Sequence, residues 1–191
     1  MKIVIITGPP YSGKGTQCDL IKAGLGFSHI STGDRIRKEK DIKSPIGKIM
    51  TDYEENGMLV PDEVMQTLIG QIIDENSAQK GIILDGYPRT KSQVDTILNM
   101  LADKKMEVQV VINIDVPKEE LLIRAQKRAE NSNRKDDQNI DIHLKRIEIF
   151  ESETRPAIEY MKKKVNVVNI DGLGTIESIT KMINETINTS R

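Results

Sequence analysis

The sequence predicts an α/β fold in which helices cover both faces of a parallel β-sheet. Short apolar runs rich in β-branched residues alternate along the chain with longer segments of helical periodicity. The first apolar run leads directly into a loop, GPPYSGKGTQ, that opens a helix. Strands that alternate with helices in this way pair in parallel and are buried on both sides. A length of 191 residues indicates a single domain, 1–191.

Five segments are predicted strands: KIVIITG, GFSHI (the weakest), GIILDG, VQVVINIDV and VNVVNID. Helices are predicted over 14–23, 45–56, 61–75, 90–101, 118–129, 137–163 and 175–187. Pro45, Pro61 and Pro117 each suit a first helical position, and Ser44 is the predicted cap before the first of them.

Two segments interrupt the alternation of strands and helices. Residues 31–76 carry three helical patterns and no strand pattern, and residues 128–137 are polar without apolar periodicity. Both are expected to leave the sheet and to form movable segments over a site.

Composition narrows the classes of function. The 29 acidic and 28 basic residues nearly cancel, so no global charge favours a nucleic acid or a membrane, and the scarcity of aromatic residues argues against base stacking. Cys18 is the single cysteine, which excludes an internal disulfide and a four-thiolate zinc site. His29 and His143 lie far apart, and we expect no zinc site. Because the start MKIVIITG is too short for a signal peptide and no apolar run is long enough to span a membrane, we expect a cytoplasmic protein.

The strongest motif is a phosphate-binding loop. Gly8 and Gly13-Lys14 follow a predicted strand and open a helix, the context in which backbone N–H groups and a helix N-terminus bind phosphate. The hydroxyl of Thr16 comes one position later than in the commonest pattern and still lies in the first turn. Asp85 ends the strand GIILDG, where a carboxylate can hold Mg²⁺ directly or through water.

The remaining motifs favour a transferase over a GTPase switch. A guanine-reading Asn-Lys-x-Asp is absent: the nearest string, NRKD at 133–136, has Arg for Lys and lies in a polar segment. The string DGLG at 171–174 resembles the switch motif Asp-x-x-Gly, but it stands in the wrong order along the chain.

The positions of the arginines favour phosphate transfer between nucleotides. Arg37, Arg89 and Arg134 stand beside turn residues, and Arg124 and Arg128 share one helix face. Guanidinium groups suit the geometry of phosphate, and transfer between two nucleotides must gather many negative charges. An alternative for this helix is that Arg124 pairs with Glu120, four residues earlier, on a solvated face.

Taken together, these motifs resemble the nucleoside monophosphate kinases, and among them the short-lid adenylate kinases. GPPYSGKGTQ, ISTGDRIR, NGMLVPDE, LDGYPRTKSQ, RAQKR, RKDD and KRIEIFESETRPAIEYM follow in the order of that family and cover almost the whole chain. The resemblance implies a phosphate-loop (P-loop) nucleotide-binding fold with a five-stranded parallel sheet, a helical AMP-binding insertion at 31–60 and a short lid at 128–138. It implies Mg²⁺-dependent transfer from ATP to AMP, giving two ADP, in adenine nucleotide homeostasis. It also implies a monomer, as the nearly balanced charge does, and from that charge we expect neither nucleic acid nor a membrane as a partner.

The resemblance also assigns roles to individual residues. The ATP site would comprise Tyr11, Ser12, Gly13, Lys14, Gly15, Thr16, Arg124, Arg128 and Gly174. The AMP site would comprise Thr32, Arg37, Met58, Leu59, Val60, Gly86, Tyr87, Pro88, Arg89 and Gln93, with Arg134 and Arg146 bridging the reacting phosphates. The catalytic set would be Lys14, Arg89, Arg124, Arg134, Arg146 and Asp85. Asp85 would organise Mg²⁺ through water.

Three features depart from the usual pattern of the family or, for the lid, from its long-lid members. Tyr11 stands where the family usually has glycine; a positive φ there would cost about 1–2 kcal/mol, and we hypothesise that its ring lies over the loop and narrows or gates the phosphate site. The lid is short. Arg134 and Arg146 are twelve positions apart, one more than is typical, so Lys145 is the alternative occupant of the helix face expected for Arg146.

The choice of monophosphate also follows from the resemblance. Thr32 and Thr90 stand where uridylate–cytidylate kinases often have alanine and asparagine, and Gln93 suits an adenine edge. We therefore expect AMP as the acceptor. The alternatives are a UMP/CMP kinase of the same family and a nucleotide-binding sensor that has lost transfer.

Overall fold

A computed structural model, which describes residues 1–131 and 139–190, contains one five-stranded sheet in the described part. All strand pairs are parallel, in the order β2-β3-β1-β4-β5. The strands are β1 (Lys2–Thr7), β2 (Ser28–Ser31), β3 (Gly81–Asp85), β4 (Glu107–Asp115) and β5 (Val167–Asp171). The predicted α/β class and the five predicted strands are confirmed.

Helices fill the connections between the strands. They are α1 (Lys14–Leu25), α2 (Thr32–Asp41), α3 (Pro45–Glu55), α4 (Asp62–Glu75), α5 (Lys91–Asp103), α6 (Lys118–Asn131), α7 (Ile140–Ile149), α8 (Arg155–Met161) and α9 (Ile176–Thr189). A π-helical turn, Phe150–Thr154, joins α7 to α8, so the helix predicted over 137–163 is not a uniform α-helix. Arg155 N accordingly donates to the carbonyl five residues back.

Helix starts follow the local sequence. The Ser44 hydroxyl accepts a hydrogen bond from Gly47 N at 2.9 Å, which confirms the predicted cap of α3 and places Pro45 first in that helix. Pro61 and Pro117, also predicted to be first helical residues, instead stand immediately before α4 and α6. These two predictions were wrong by one residue.

The sheet is buried on both faces. One face, with Ile3, Ile5 and Leu84, packs against helices that include α4, α5 and α8, whereas the other, with Val4 and Ile6, packs against α1 and α9. Because each fully buried aliphatic side chain contributes roughly 1.5–3 kcal/mol, these two layers fix the sheet as a rigid base.

The topology determines where a ligand can bind. The connection after β1 leads to one side of the sheet, through β2 and β3, and the connection after β3 leads to the other side, where β4 lies beside β1. Ligands of open α/β sheets bind beyond the carboxyl ends of the strands at such a reversal of strand order. The loop after β1 lies there. Within the residues described, no helix is both long and apolar enough to cross a membrane.

Candidate active site

The loop between β1 and α1 has an unusual backbone. Gly8 and Gly13 adopt φ values of 141° and 91°. A Cβ on Gly8 would lie 2.4 Å from the carbonyl oxygen of Ile114, so no larger residue fits there. Tyr11 also has a positive φ, 68°, and the expected strain of about 1–2 kcal/mol therefore applies to it.

The Tyr11 side chain joins the loop to two helices. Its hydroxyl hydrogen-bonds with Nδ1 of the fully buried His143 on α7, and the two ring centroids are 5.0 Å apart. The guanidinium carbon of Arg128, on α6, lies 5.9 Å from the Tyr11 ring centroid, within the range of a cation–π interaction. The hypothesis of a ring lying over the loop did not include this connection.

Lys14 folds back on its own loop. Its ammonium donates to the carbonyl oxygens of Gly8 and Pro9 at 2.8 and 2.7 Å. Burial lowers the pKa of Lys14 to about 8, against the opposing attraction of Asp85. A phosphate that replaced the two carbonyl oxygens would favour the charged ammonium.

A cleft of about 480 Å³ extends from this loop along the carboxyl edge of the sheet. Most of the site residues expected from the sequence line it: Tyr11, Gly13, Lys14, Gly15, Thr16, Thr32, Arg37, Met58, Leu59, Val60, Asp85, Gly86, Arg89, Gln93, Arg128 and Arg146. They come from six separate parts of the chain. The structure therefore brings most residues of the two predicted nucleotide sites, though not all of them, into one cavity.

Asp85 lies at the floor of the cleft. It is 9% exposed, and its backbone carbonyl accepts a hydrogen bond from the Thr32 hydroxyl at 3.0 Å. Thr16, whose side chain carries a hydroxyl, belongs to the same cleft lining. A buried carboxylate and a hydroxyl beside a phosphate loop are hard oxygen ligands, the chemistry that suits Mg²⁺.

Gln93 is held in a fixed orientation. Its Oε1 accepts from Arg89 N at 2.8 Å, and its Nε2 donates to Asp62 Oδ1 at 2.7 Å. A primary amide has two donor hydrogens and two acceptor lone pairs. Because each contact uses only one of these, the amide retains one donor and one acceptor for a ligand.

The arginines of the cleft are close enough to interact electrostatically. Burial lowers the pKa of Arg89; Asp85 opposes this shift, whereas Arg146 and Arg37 add to it. Arg37 itself is paired with Asp34 and with Glu54. Five lysine and arginine side chains line the described cleft together with four carboxylates, a small excess of positive charge that favours polyanionic ligands.

The structure distinguishes the two candidates on α7. Arg146 lines the cleft, and a Cβ on Gly57 would lie 3.3 Å from its Cγ, which places the side chain against the segment after α3. Lys145 is exposed and is not among the cleft-lining residues.

Several predicted residues lie elsewhere. Arg124 pairs with Glu120 at 2.7 Å, as the alternative interpretation held, and also donates to Gly172 O at 2.9 Å. Gly174 is exposed near that contact, outside the cleft lining. Tyr87 is fully buried in the core, and burial raises the pKa of its hydroxyl.

Pro88, joined to Tyr87 by a cis peptide bond, is buried, and Ser12 is buried within the loop. Neither of these two residues lines the cleft. Arg134 lies outside the described residues.

Some cleft residues were not predicted from the sequence. An apolar wall is formed by Ile36, Met65, Ile149 and Phe150, the last of which belongs to the π-helical turn. Apolar residues in helical patterns are ordinarily core residues, so their spacing carries no signal for a ligand.

A cleft rich in cations, built around a phosphate loop at the edge of a parallel sheet, defines a phosphate-loop nucleotide-binding fold. Comparison with known proteins identifies the family. The family model described as adenylate kinase matches residues 6–166. An adenylate kinase of Parabacteroides distasonis is 40% identical over 185 residues, with 97% of each chain covered. One from Phocaeicola vulgatus is 40% identical over 176 residues, covering 92% of this chain and 93% of its own. The chain belongs to the adenylate kinase family, a family of phosphotransferases.

Proposed function

We propose that this protein transfers the terminal phosphoryl group of ATP to AMP in a Mg²⁺-dependent, reversible reaction that yields two ADP. The observation that carries the proposal is the single cleft in which the phosphate-loop Lys14 and three arginines, Arg37, Arg89 and Arg146, meet. Two nucleotides brought together carry several phosphates. Their mutual repulsion has to be offset before the two reacting groups can approach.

The acceptor site is proposed at the end of the cleft formed by the 31–60 segment, the AMP-binding insertion, and the loop between β3 and α5. Gln93 would bind the adenine edge, which presents an amino donor beside a ring nitrogen acceptor and so matches the donor and acceptor that the amide retains. The apolar side chains of Val60 and Met65 would contact the base. Arg37 uses only part of its donors on Asp34 and Glu54, so it would also bind the phosphate.

The donor site is proposed at the phosphate loop. The backbone N–H groups of residues 11–16 would bind the ATP phosphates, and the Lys14 ammonium would exchange its two carbonyl partners for phosphate oxygens. Arg124 and Gly174, outside the cleft lining, would contact the remainder of ATP where it emerges. Mg²⁺ would neutralise phosphate charge and orient the transferred group when it is bound through water to Asp85.

In this reaction the protein positions groups and stabilises charge. The transferred phosphoryl group carries its charge on equatorial oxygens, and a correctly placed arginine accelerates such a transfer roughly 10³–10⁵-fold. Arg89 and Arg146 are proposed for this role, with Arg134 from the proposed lid at 128–138. A lid that closes over the cleft would also exclude water, and this would suppress hydrolysis of ATP.

We further propose that the protein acts in the cytoplasm as a monomer on free nucleotides. Its nearly balanced charges provide no general attraction to nucleic acid or to anionic lipid.

Product analysis tests the proposed function. The protein is incubated with ATP, with and without Mg²⁺, and with AMP, UMP, CMP or GMP in turn, and the nucleotides are separated by chromatography. We expect ADP to form with AMP far faster than with the other acceptors, and only with Mg²⁺. Faster transfer to UMP or CMP would identify a pyrimidine monophosphate kinase. ATP binding without any transfer would identify a nucleotide-binding sensor. Either result would refute the proposal.

A further inference from the structure

Three side chains with metal-binding atoms converge below the phosphate loop. Cys18 comes from α1, His29 from β2 and Asp85 from the end of β3. One sulfur, one ring nitrogen and one carboxylate oxygen from these residues all lie within 4.8 Å of one another. Their wide separation along the chain explains why residue spacing predicted no zinc site.

The geometry around His29 is already close to that of a coordinated imidazole. Nε2 lies 3.5 Å from Asp85 Oδ2. Two ligands about 2.0–2.1 Å from a tetrahedral ion are separated by roughly 3.4 Å. In the described part of the chain, Nε2 is buried and its 3.5 Å approach to Asp85 is too long for a hydrogen bond, so this ligand atom of His29 faces the cluster without one.

A fourth residue orients the imidazole from the opposite side. His29 Nδ1 lies 3.3 Å from Asp19 Oδ1. Histidines that bind metals commonly donate their other ring N–H to a carboxylate, which fixes the tautomer and makes the binding nitrogen more basic. The contact between Asp19 and His29 involves neither Cys18 nor Asp85, so it is a separate observation in favour of a metal site at His29.

We propose that Cys18, His29 and Asp85 bind a thiophilic divalent metal ion such as Zn²⁺, with Asp19 positioning His29. A thiolate and an imidazole favour Zn²⁺ or Cd²⁺ over Mg²⁺, which prefers oxygen ligands. On binding, the Cys18 S–H bond breaks, the proton passes to solvent, and a sulfur–metal bond forms. The thiolate and the carboxylate then neutralise both positive charges of the ion.

An ion at this site has a predictable effect on catalysis. His29 and Asp85 line the cleft, so the ion enters by the same opening as the substrates. It occupies the carboxylate that we assign to Mg²⁺ binding, and we expect reversible inhibition that added chelator removes. The inhibition rests on the proposed function, whereas the binding of the metal does not.

Binding is tested on the full chain with Cd²⁺ alone, after treatment with chelator. Coordination by thiolate produces an ultraviolet charge-transfer band, and with one cysteine in the chain the band reports on Cys18 alone. We expect saturation at one equivalent. His29→Gln should weaken binding at least tenfold and Asp19→Asn about 10–100-fold, and Cys18→Ser or Cys18→Ala should abolish the band. His143→Gln, which changes the other histidine, is the matched control and should bind as the wild type does.

Two results would overturn the proposal: no saturable band at any Cd²⁺ concentration, or His29→Gln and Asp19→Asn variants that bind Cd²⁺ as tightly as the wild type. Inhibition is then measured separately. Zn²⁺ at constant Mg²⁺ should inhibit the wild type at concentrations at least tenfold lower than those needed for Cys18→Ala, while the activity of this variant without Zn²⁺ stays close to that of the wild type. Equal inhibition of both would exclude this site as the inhibitory one.

Discussion

The contact between Tyr11 and His143 connects the phosphate loop to α7, and its removal should lower the free energy of unfolding by a predictable amount. Tyr11→Phe keeps the ring, its contact with Arg128 and the strained backbone, and it removes only the hydroxyl that bonds with His143. A hydrogen bond of this kind contributes about 0.5–1.5 kcal/mol net. For a chain of this length, a loss of 1 kcal/mol lowers Tm by about 2–4 °C.

A double-mutant cycle isolates this pair. The free energy of unfolding is measured by urea denaturation for the wild type, Tyr11→Phe, His143→Phe and the double variant. We expect a coupling energy of about 1 kcal/mol, since neighbours that share a hydrogen bond are not additive. Additive single effects, with a coupling below about 0.3 kcal/mol, would refute the inference that this bond ties the loop to α7.

The backbone strain of Tyr11 is separated from its ring by a second pair of variants. Tyr11→Asn removes the ring and tolerates positive φ better than most residues, whereas Tyr11→Gly removes both the ring and the strain. If the ring connects the loop to α6 and α7, both variants should weaken ATP binding similarly, as measured by calorimetry. Wild-type affinity in both variants would leave Tyr11 with no part in ATP binding.

Three further predictions follow from other parts of the structure. The pKa of Lys14 is about 8 in the protein without nucleotide, and bound phosphate raises it, so ATP binding should take up about 0.9 proton at pH 9 and about 0.1 at pH 7. Calorimetry in buffers of different ionisation enthalpy measures this uptake, and equal uptake at both pH values would contradict the prediction. Gly47→Ala places a Cβ 2.0 Å from a carbonyl oxygen of α2 and should destabilise the fold by roughly 1–3 kcal/mol. The control Gly70→Ala, whose Cβ would have nothing nearer than 3.8 Å, should be neutral or stabilising by up to about 1 kcal/mol in the same urea assay. Arg146→Met should lower kcat by about 10³-fold or more with little effect from the matched Lys145→Met change, and the opposite order would reverse their assignment.

The fold could be predicted because its determinants are local. Each strand is a short β-branched run, and Gly8, Gly13 and Lys14 mark the phosphate loop by their spacing after the first of these runs. Parallel pairing then follows from the alternation of strands and helices. The exact helix starts at Pro61 and Pro117 did not follow, because proline is also compatible with the position just before a helix.

The parts of the site that could not be predicted depend on tertiary contacts. Tyr11 and His143 are 132 residues apart, and a lone histidine in a helical pattern gives no sign of its partner. Cys18 and His29 meet only after α1 packs beside β2 and β3. Phe150 belongs to the cleft wall because of a π-helical turn. The extra residue in that turn cannot be recognised from the α-helical periodicity of the sequence.

The central claim is direct phosphoryl transfer between two adenine nucleotides held in one cleft. Incubation with ADP and Mg²⁺ as the only substrates tests it most directly, because the reverse reaction needs both sites filled at once. ³¹P NMR or chromatography should show ATP and AMP appearing in equal amounts, with no inorganic phosphate. Unchanged ADP, or AMP that accumulates together with inorganic phosphate and without ATP, would contradict the account.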